Sequence, residues 1–289
     1  MNSLAAWLER ANLSGVQPRA YGARANCPFH QDRQRTFAVY LSGRFRCFHA
    51  SCQTAGHIDR LETYLGTAAP KIVWQEEDTP DFKIIAPYWF APFPFAHDAL
   101  AKRGVPSSEV GTWGLRWDNR PHRDALLIPI QDELGQIVSV AWRYNDARKY
   151  RHRAGFQKGH VLYGLWRVTG KIVYLVEGFA DCWKLWSFGH EAVASMGASV
   201  SKAQVQLLKA RGIETVVVMY DNDSAGFRGA VHAAEMLIGH ADVAFGMHYR
   251  GRWPKDPGEA DRVAVDRLAK QRVGLDVVLD EAWRRWGIL

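Results

Sequence analysis

Carboxylates follow two strand-like stretches of the chain, in "VEGFAD" at 176–181 and "MYDND" at 219–223. A carboxylate at the end of a buried strand is costly unless it binds a partner. Glu177, Asp221 and Asp223 are therefore candidate ligands for a hard cation such as Mg²⁺ or Mn²⁺, which prefers oxygen donors. Because residues i and i+2 of a strand point to the same side, we expect Asp221 and Asp223 to converge on one ion. The alternative for Asp223 is that it caps the following helix.

Thiols and imidazoles form a second set of candidate metal ligands, in "CPFHQDRQRTFAVYLSGRFRCFHASC". Two ligand pairs flank a predicted hairpin of "TFAVYL" and "RFRCF" around Ser42-Gly43, which is how a tetrahedral zinc ribbon is built. The four predicted ligands are Cys27, His30, Cys47 and Cys52. His49 lies inside the second pair and could replace Cys47 or Cys52. The alternative to a zinc site is a set of buried free cysteines.

Basic and aromatic residues surround these ligands: Arg24, Arg33, Arg35, Arg44 and Arg46 with Phe37, Tyr40, Phe45 and Phe48. Their interleaving suits single-stranded nucleic acid, because cations bind phosphates and rings stack on bases. Some of the rings must instead form the core of the small ribbon. The formal net charge of +7 is compatible with a polyanionic partner.

The 289 residues are predicted to form several units. A ribbon unit spans 1–65 and a Pro-containing linker spans 66–86. A basic unit at 87–170 contains the predicted strands "ALLIPI" and "IVSVAWRY", and a C-terminal helical segment covers 251–289. No apolar run is long enough to cross a bilayer, so we expect a soluble intracellular protein.

The region 171–250 alternates apolar strands with helices of 10–15 residues, which indicates a parallel sheet with helices on both faces. The predicted strands are "KIVYLVEG", "EAVASMG" and "IETVVVMYDND", and the predicted helices are "FADCWKLWSFG", "SKAQVQLLKARG" and "SAGFRGAVHAAEMLIGH". Ligand sites of such sheets lie at the carboxyl ends of the strands. The three carboxylates fall there.

The stretches "VEGFAD", "YDNDSAG" and "KDPGEA" resemble the acidic motifs of the TOPRIM fold, which DnaG-type primases share with topoisomerases and some nucleases. "CPFH…CFHASC" resembles the N-terminal zinc ribbon of DnaG-type primases. "LIPIQDELGQIVSVAWR" and "KYRHRAGFQKGHVLYGL" resemble two stretches of their middle region. The resemblance runs from about residue 20 to about residue 260 in the family's order. It implies an α/β fold, in which a TOPRIM-type parallel sheet is preceded by a mixed α/β basic subdomain and a zinc ribbon.

The chain departs from the family in two places. The second ligand pair is more widely spaced than usual, and almost nothing after residue 265 matches the family's helicase-binding domain. We therefore expect a compact version of the kind found in phages or mobile elements.

The resemblance also implies roles for individual residues. Glu177 would be the acid of the first motif, and Asp221 and Asp223 the metal-binding pair. Asp181 and Asp256 would ligate or orient a second ion. The basic positions of the middle region would be Arg143, Lys149 and Lys158, for which the alternative is a solvated surface. Gly178 and Gly226 would let the backbone approach the site closely.

The sequence therefore predicts a DNA primase that makes short RNA primers by two-metal nucleotidyl transfer, with structural Zn²⁺ and catalytic Mg²⁺ or Mn²⁺. Its expected partners are single-stranded DNA, nucleoside triphosphates and a replicative helicase in trans, without a membrane. The predicted location is the cytoplasm of a bacterium or of a phage-infected host. The alternatives are a TOPRIM nuclease or topoisomerase, and a zinc-ribbon single-strand-binding protein without catalysis. The topoisomerase is disfavoured because no room is left for a separate domain with a catalytic tyrosine.

Overall fold

The computed structural model describes residues 3–19, 22–40, 44–47, 49, 51–52, 54–69, 82–101, 104–121, 123–144, 150–246, 254–270, 272–274 and 278. Three separate sheets follow one another along the chain. Within these ranges, no helix is long and apolar enough to cross a bilayer.

The first sheet has five antiparallel strands in the order β1-β2-β3-β4-β5, between two short helices. Its elements are α1 (Ser3–Arg10), β1 (Gln17–Arg19), β2 (Gly22–Ala25), β3 (Phe37–Tyr40), β4 (Arg44–Cys47), β5 (Ala55–His57) and α2 (Ile58–Leu65). The predicted hairpin is confirmed as the β3–β4 pair, in which Phe37 lies opposite Cys47. Pairing of these strands brings the two halves of the Cys/His motif together.

The second sheet is also antiparallel, with the order β6-β7-β8-β9. The elements of this unit are α3 (His97–Ala101), α4 (Ser107–Thr112), β6 (Arg116–Asp118), β7 (Ala125–Gln131), β8 (Ile137–Tyr144) and β9 (Arg151–His152). Short 3-10 turns cover Pro87–Phe90, Lys158–His160 and Leu165–Arg167. "ALLIPI" and "IVSVAWRY" are confirmed as the paired strands β7 and β8.

The third sheet is parallel, with the order β11-β10-β12-β13. The apolar runs of the sequence predicted three of these strands, and β13 is an additional one. Its elements are β10 (Ile172–Val176), α5 (Phe179–Ser187), β11 (Ala192–Ala194), α6 (Lys202–Ala210), β12 (Thr215–Val218), α7 (Ser224–Leu237), β13 (Asp242–Phe245) and α8 (Arg262–Lys270).

The strand order creates a switch point between β10 and β12. The chain leaves β10 toward β11 on one side and later leaves β12 toward β13 on the other. Right-handed crossovers then put α5 on one face of the sheet and α6 and α7 on the opposite face. A crevice therefore opens at the carboxyl ends of β10 and β12, where ligands of such sheets bind.

The second and third units share one hydrophobic core. Trp113, directly after α4, stacks on Tyr163 with ring centroids 4.8 Å apart, and Tyr163 pairs with Ala194 of β11 in an antiparallel bridge. This bridge fixes the segment after β9 against the edge of the parallel sheet. The Lys158–His160 turn is thereby held near the carboxyl ends of the strands.

Candidate functional site

Glu177 and Asp221 lie together in the crevice, one after β10 and the other after β12. The Asp221 backbone N–H donates to Glu177 Oε1 at 3.2 Å, and the Asn222 N–H donates to the Lys255 carbonyl at 2.6 Å. These bonds join three loops at the carboxyl edge of the sheet. The strand argument for Asp221 and Asp223 does not hold, because β12 ends at Val218 and both residues lie beyond it.

Asp223 is the N-cap of α7. Its Oδ1 accepts hydrogen bonds from the Ala225 and Gly226 N–H groups, both at 2.9 Å. The capping alternative is therefore confirmed. The carboxylate still lies near the other acids, since its charge adds to the rise in the pKa of Glu177 that burial causes. Metal binding by Asp223 stays a prediction.

Asp181, on the first turn of α5, is buried and uses both oxygens to join two loops. Its Oδ2 accepts from the Gly178 N–H at 3.2 Å and its Oδ1 accepts from the Gly258 N–H at 2.9 Å. Asp256 lines the same crevice and accepts from the Glu259 N–H at 2.9 Å through Oδ1. Asp181 is therefore arranged to hold the loop that carries Asp256.

The carboxyl groups of the crevice have raised pKa values. Burial raises the pKa of Asp181 to about 8, with further contributions from the charges of Asp256 and Asp221. Burial and the charge of Glu177 raise the pKa of Asp221 to about 7. Negative charges crowded at low dielectric favour a bound cation, which would stabilise all of them in the ionised form. The donor set therefore fits divalent metal.

Basic side chains also line this cleft, whose volume is about 1320 Å³. Lys158 Nζ donates to the Met196 carbonyl at 2.9 Å. Arg143 of β8 donates from an η nitrogen to Tyr150 Oη at 2.9 Å. The structure thus brings Lys158 and Arg143 together with Glu177, Asp181, Asp221 and Asp256. Lys149 lies outside the described residues.

Three further cleft residues were missed by the sequence analysis: Lys255, Lys184 and His152. Lys255 Nζ lies 3.9 Å from Asp221 Oδ2, and it stands next to Asp256 in the quoted "KDPGEA" motif. Lys184 follows Asp181 by one turn of α5, so the helical spacing could have indicated it. Burial, followed by the charge of Lys158, lowers the pKa of His152, which favours the neutral imidazole. The sequence position of His152 gave no indication that it lines the cleft.

The predicted role of the two glycines is confirmed. A Cβ at Gly226 would lie 2.2 Å from the Asp221 carbonyl oxygen, so only glycine lets α7 start this close to the acidic loop. A Cβ at Gly178 would lie 2.9 Å from Asp181 Oδ2, which needs that space for its hydrogen bond to the Gly178 N–H.

The Cys/His group forms a second candidate site, in the first unit. One ligand atom from each of Cys27, His30, Cys47 and Cys52 lies within 4.8 Å of the other three. Cys27 Sγ is 3.9 Å from Cys52 Sγ, and His30 Nε2 is 3.2 Å from Cys47 Sγ. Tetrahedral zinc with Zn–S bonds of about 2.3 Å implies S···S separations of roughly 3.8 Å. The predicted donor set is thus assembled at distances that fit zinc.

Neighbouring groups hold the ligands in place. Asp32 accepts hydrogen bonds from the N–H groups of Cys27 at 2.8 Å, Gln34 at 2.7 Å and Thr36 at 2.8 Å. Burial raises the pKa of Cys27, and a metal cation would offset this effect by binding the thiolate. His49 is outside the group of four and accepts a hydrogen bond from Ser51 through Nδ1.

Two of the four aromatic rings predicted around the zinc ligands belong to the core of the ribbon. Phe37 and Phe45 are fully buried, and Phe29 packs on both of them. Arg33 and Arg35 are exposed, whereas Arg24 forms an ion pair with Glu235 of α7 at 2.6 Å. The Phe48 residue and the side chains of Tyr40 and Arg44 lie outside the described part of the chain. Nucleic-acid contacts of this surface stay a prediction.

Comparison with known proteins agrees with this geometry. The Toprim-like family matches residues 174–260, which include Glu177, Asp221 and Asp256. A DNA primase of Deinococcus radiodurans is 30% identical over 168 residues, which cover 50% of this chain and 29% of that protein. The chain therefore spans less than a third of this curated relative.

Solved structures show the same fold. The match to the DnaG primase catalytic domain bound to single-stranded DNA covers 65% of this chain and 74% of that domain's chain. Its TM-score is 0.53, with 24% sequence identity. The match to the zinc-binding and RNA polymerase domains of the Aquifex aeolicus primase covers 99% of this chain and 89% of that chain. Its TM-score is 0.54, with 20% sequence identity. In sequence this chain is similar to part of the curated DNA primases, and in fold it is similar to solved DnaG primase domains.

Proposed function

We propose that the protein is a DNA primase, a template-directed RNA polymerase that starts primers on single-stranded DNA. The observation that carries this proposal is the cleft that Glu177 and Asp221 line together with Lys158 and Arg143. Acids at the switch point of the sheet suit divalent cations, and the basic side chains of the same cleft suit a triphosphate. Nucleotidyl transfer requires both the divalent cations and the groups that bind the triphosphate.

The acids and bases of the cleft have different roles in this proposal. Glu177, Asp221 and Asp223 would hold Mg²⁺ or Mn²⁺, while Asp181 and Asp256 would orient a second ion. Bound cations would activate the attacking 3′-hydroxyl and stabilise the pyrophosphate leaving group. Lys158 and Arg143, with Lys149, would bind triphosphate or template through charge-assisted hydrogen bonds.

The first unit would hold structural zinc through Cys27, His30, Cys47 and Cys52. Its proposed role is to select and hold the template. The division of the chain at 1–65, 66–86, 87–170, 171–250 and 251–289 is part of the proposal, and the three separate sheets support it.

The proposed partners are a single-stranded DNA template, nucleoside triphosphates and a replicative helicase in trans. Single-stranded DNA is bound by one of the solved primase domains with this fold, which supports the first of these partners. A cytoplasmic setting, in a bacterium or a phage-infected cell, belongs to the same proposal.

The proposal is tested by incubating the protein with labelled nucleoside triphosphates, Mg²⁺ or Mn²⁺ and single-stranded templates. We expect short products made without a primer. Glu177→Gln and Asp221→Asn preserve shape but remove charge, so synthesis should fall by about 10³-fold or more while DNA binding persists. Glu133→Gln, in an exposed turn outside the cleft, is the matched control and should leave synthesis unchanged.

The same assay separates the alternatives. A nuclease would shorten labelled single strands in a reaction that depends on Glu177 and Asp221. A binding protein would retain the DNA without making or cutting a strand. Wild-type synthesis by either acid variant would remove that carboxylate from the mechanism.

A further inference from the structure

The N-terminus of α6 makes more hydrogen bonds than a helix cap requires. Ser201 Oγ accepts from the Gln204 N–H at 3.1 Å, and the Ser201 N–H donates to Gln204 Oε1 at 3.0 Å. These two bonds complete a capping box. Both side chains also donate to the segment around Lys158, which belongs to the unit before the parallel sheet.

The additional bonds converge on two pieces of backbone. Gln204 Nε2 donates to the carbonyls of Val161 at 2.8 Å, Ser195 at 3.1 Å and Lys158 at 3.3 Å. Ser201 Oγ donates to the Gly159 carbonyl. The Lys158–His160 turn and the end of β11 are thereby tied to one helix terminus.

The end of β11 binds the ammonium group of the same lysine. Lys158 Nζ donates to the carbonyl of Met196, whose φ of 58° is unusual for a residue with a side chain. Ser195 Oγ donates to the Gly197 carbonyl at 2.6 Å and accepts from Tyr220 Oη at 3.0 Å. Tyr220, the residue before Asp221, therefore stabilises the turn at Met196 through Ser195.

Burial shows why the side-chain amide of Gln204 must make its hydrogen bonds. The side chain is only 1% exposed, and burying an amide costs free energy unless its hydrogen bonds are made. An apolar residue at this position would leave the Val161 and Ser195 carbonyls without this donor, although Ser201 could still cap the helix through its hydroxyl. Gln204 Nε2 has two hydrogens for its three carbonyl contacts, so one hydrogen is shared, and these contacts join the Lys158–Val161 segment to the residue after β11.

We propose that Ser201 and Gln204 are positioning residues that fix Lys158 in the cleft. The lysine is exposed, and an exposed flexible side chain would otherwise sample many rotamers. Its backbone carbonyl is held by Gln204, and its ammonium group is held by the turn that Gln204 also binds. This inference rests on the proposed function, because it assumes that Lys158 acts on triphosphate or template.

The test compares Gln204→Met with Gln206→Met. Methionine at 204 conserves the volume of the side chain and removes its donor, whereas Gln206 is exposed on the same helix and serves as the matched control. We expect Gln204→Met to lower kcat/KM for primer synthesis on the order of 10²-fold, as small misplacements of catalytic groups do. Gln206→Met should match the wild type. Ser201→Asp, which keeps a capping acceptor but cannot donate to Gly159, should also lower synthesis.

Two readouts distinguish positioning from stability. In a Lys158→Ala background, Gln204→Met should cause no further loss, because both changes remove the same interaction. The Lys158 amine of the folded Gln204→Met protein should also react faster with an acylating reagent, as measured by mass spectrometry. The inference would be overturned if Gln204→Met lowered kcat/KM by the same factor with and without Lys158→Ala, or if the Lys158 amine reacted at the same rate in Gln204→Met and in the wild type.

Failure of the proposed function would look different. If Lys158→Ala alone kept wild-type synthesis, the role of Lys158 in the reaction would be wrong. The acylation rate would then still decide whether Gln204 holds the Lys158 amine in place.

Discussion

At the scale of single residues, the acids of the cleft differ in how far their oxygens are already used. Asp181 binds two backbone N–H groups and Asp223 caps α7, whereas Glu177 Oε1 accepts one long bond from the Asp221 N–H. The sequence identified all of them as acids near one site but could not separate these roles. Hydrogen bonds to loops that are distant in sequence decide which carboxylate holds the site together.

The raised pKa values predict how stability and metal binding depend on pH. The pKa of Asp221 is about 7 and that of Asp181 about 8, against about 3.9 for an unfolded Asp. Between these values the folded state binds more protons than the unfolded state, so the contribution of these groups to the free energy of unfolding falls as pH rises. Without added divalent cations, Tm should be lower at about pH 8.5 than at about pH 6.

Cations compete with the protons at these carboxyl groups, so added Mg²⁺ should raise Tm more at the higher pH. Asp221→Asn should reduce both effects, and Glu133→Gln should preserve them. Thermal unfolding followed by circular dichroism measures both. A Mg²⁺ effect on Tm that is equal at the two pH values would contradict this account of the site.

At the scale of elements, the hydrophobic pattern predicted β10, β11 and β12 and the helices α5, α6 and α7, but it did not identify the fourth strand, β13, which begins with the exposed Asp242. It did not predict where β12 ends. Met219 and Tyr220 are apolar and fully buried, yet they lie beyond the last paired residue, Val218. Strand length is set by the neighbours, since β10 and β13 stop pairing with β12 at Leu175 and Phe245. Such pairing is a long-range property that no local pattern contains.

The close approach of α7 to the acidic loop predicts a specific effect of Gly226→Ala. Its Cβ would meet the backbone oxygen of Asp221 at 2.2 Å, so the helix or the loop must move. We expect a loss of about 1–3 kcal/mol in the free energy of unfolding and weaker Mn²⁺ binding. Urea denaturation and a Mn²⁺ titration measure the two quantities.

Gly111→Ala is the control for this prediction. Gly111 lies within α4, and a Cβ there would have no neighbour within 4 Å. The change should stabilise the protein by about 0.5–1 kcal/mol and leave Mn²⁺ affinity unchanged. Equal effects of the two substitutions would show that the contact with Asp221 is unimportant.

At the scale of the whole molecule, the sequence suggested a ribbon separated from the catalytic unit by a linker. The structure packs the two units together. Arg24 of β2 pairs with Glu235 of α7 at 2.6 Å, and the two side chains are only 19% and 6% exposed. Ala38 of β3 lies in the core that the other two units share. Partners 211 residues apart could not be inferred from one sequence.

This contact defines how far the effects of zinc should extend. The ribbon is too small to be stable without its metal, so Cys27→Ser should release zinc and unfold the first unit. Arg24 lies in that unit, and its loss would remove the cation beside Glu235 and lower the stability of the α7 region. Arg24→Met should lower the stability of the α7 region while zinc is retained. The control is Lys171→Ala, which breaks a mostly exposed ion pair with Glu214 and should lower the free energy of unfolding by less than about 1 kcal/mol.

We expect Cys27→Ser to abolish template-selective initiation while leaving measurable extension of a primer that is already annealed. The physical reason is that the Asp221–Glu177 and Lys158–Met196 hydrogen bonds join groups of the polymerase core to one another and include no residue of the ribbon. Zinc content, de novo synthesis and extension should be measured on Cys27→Ser and Arg24→Met side by side. If extension disappears together with initiation while the parallel-sheet unit is still folded, then the ribbon forms part of the active site. Retention of zinc and initiation by Arg24→Met would show that zinc acts through the ribbon itself and not through its contact with α7.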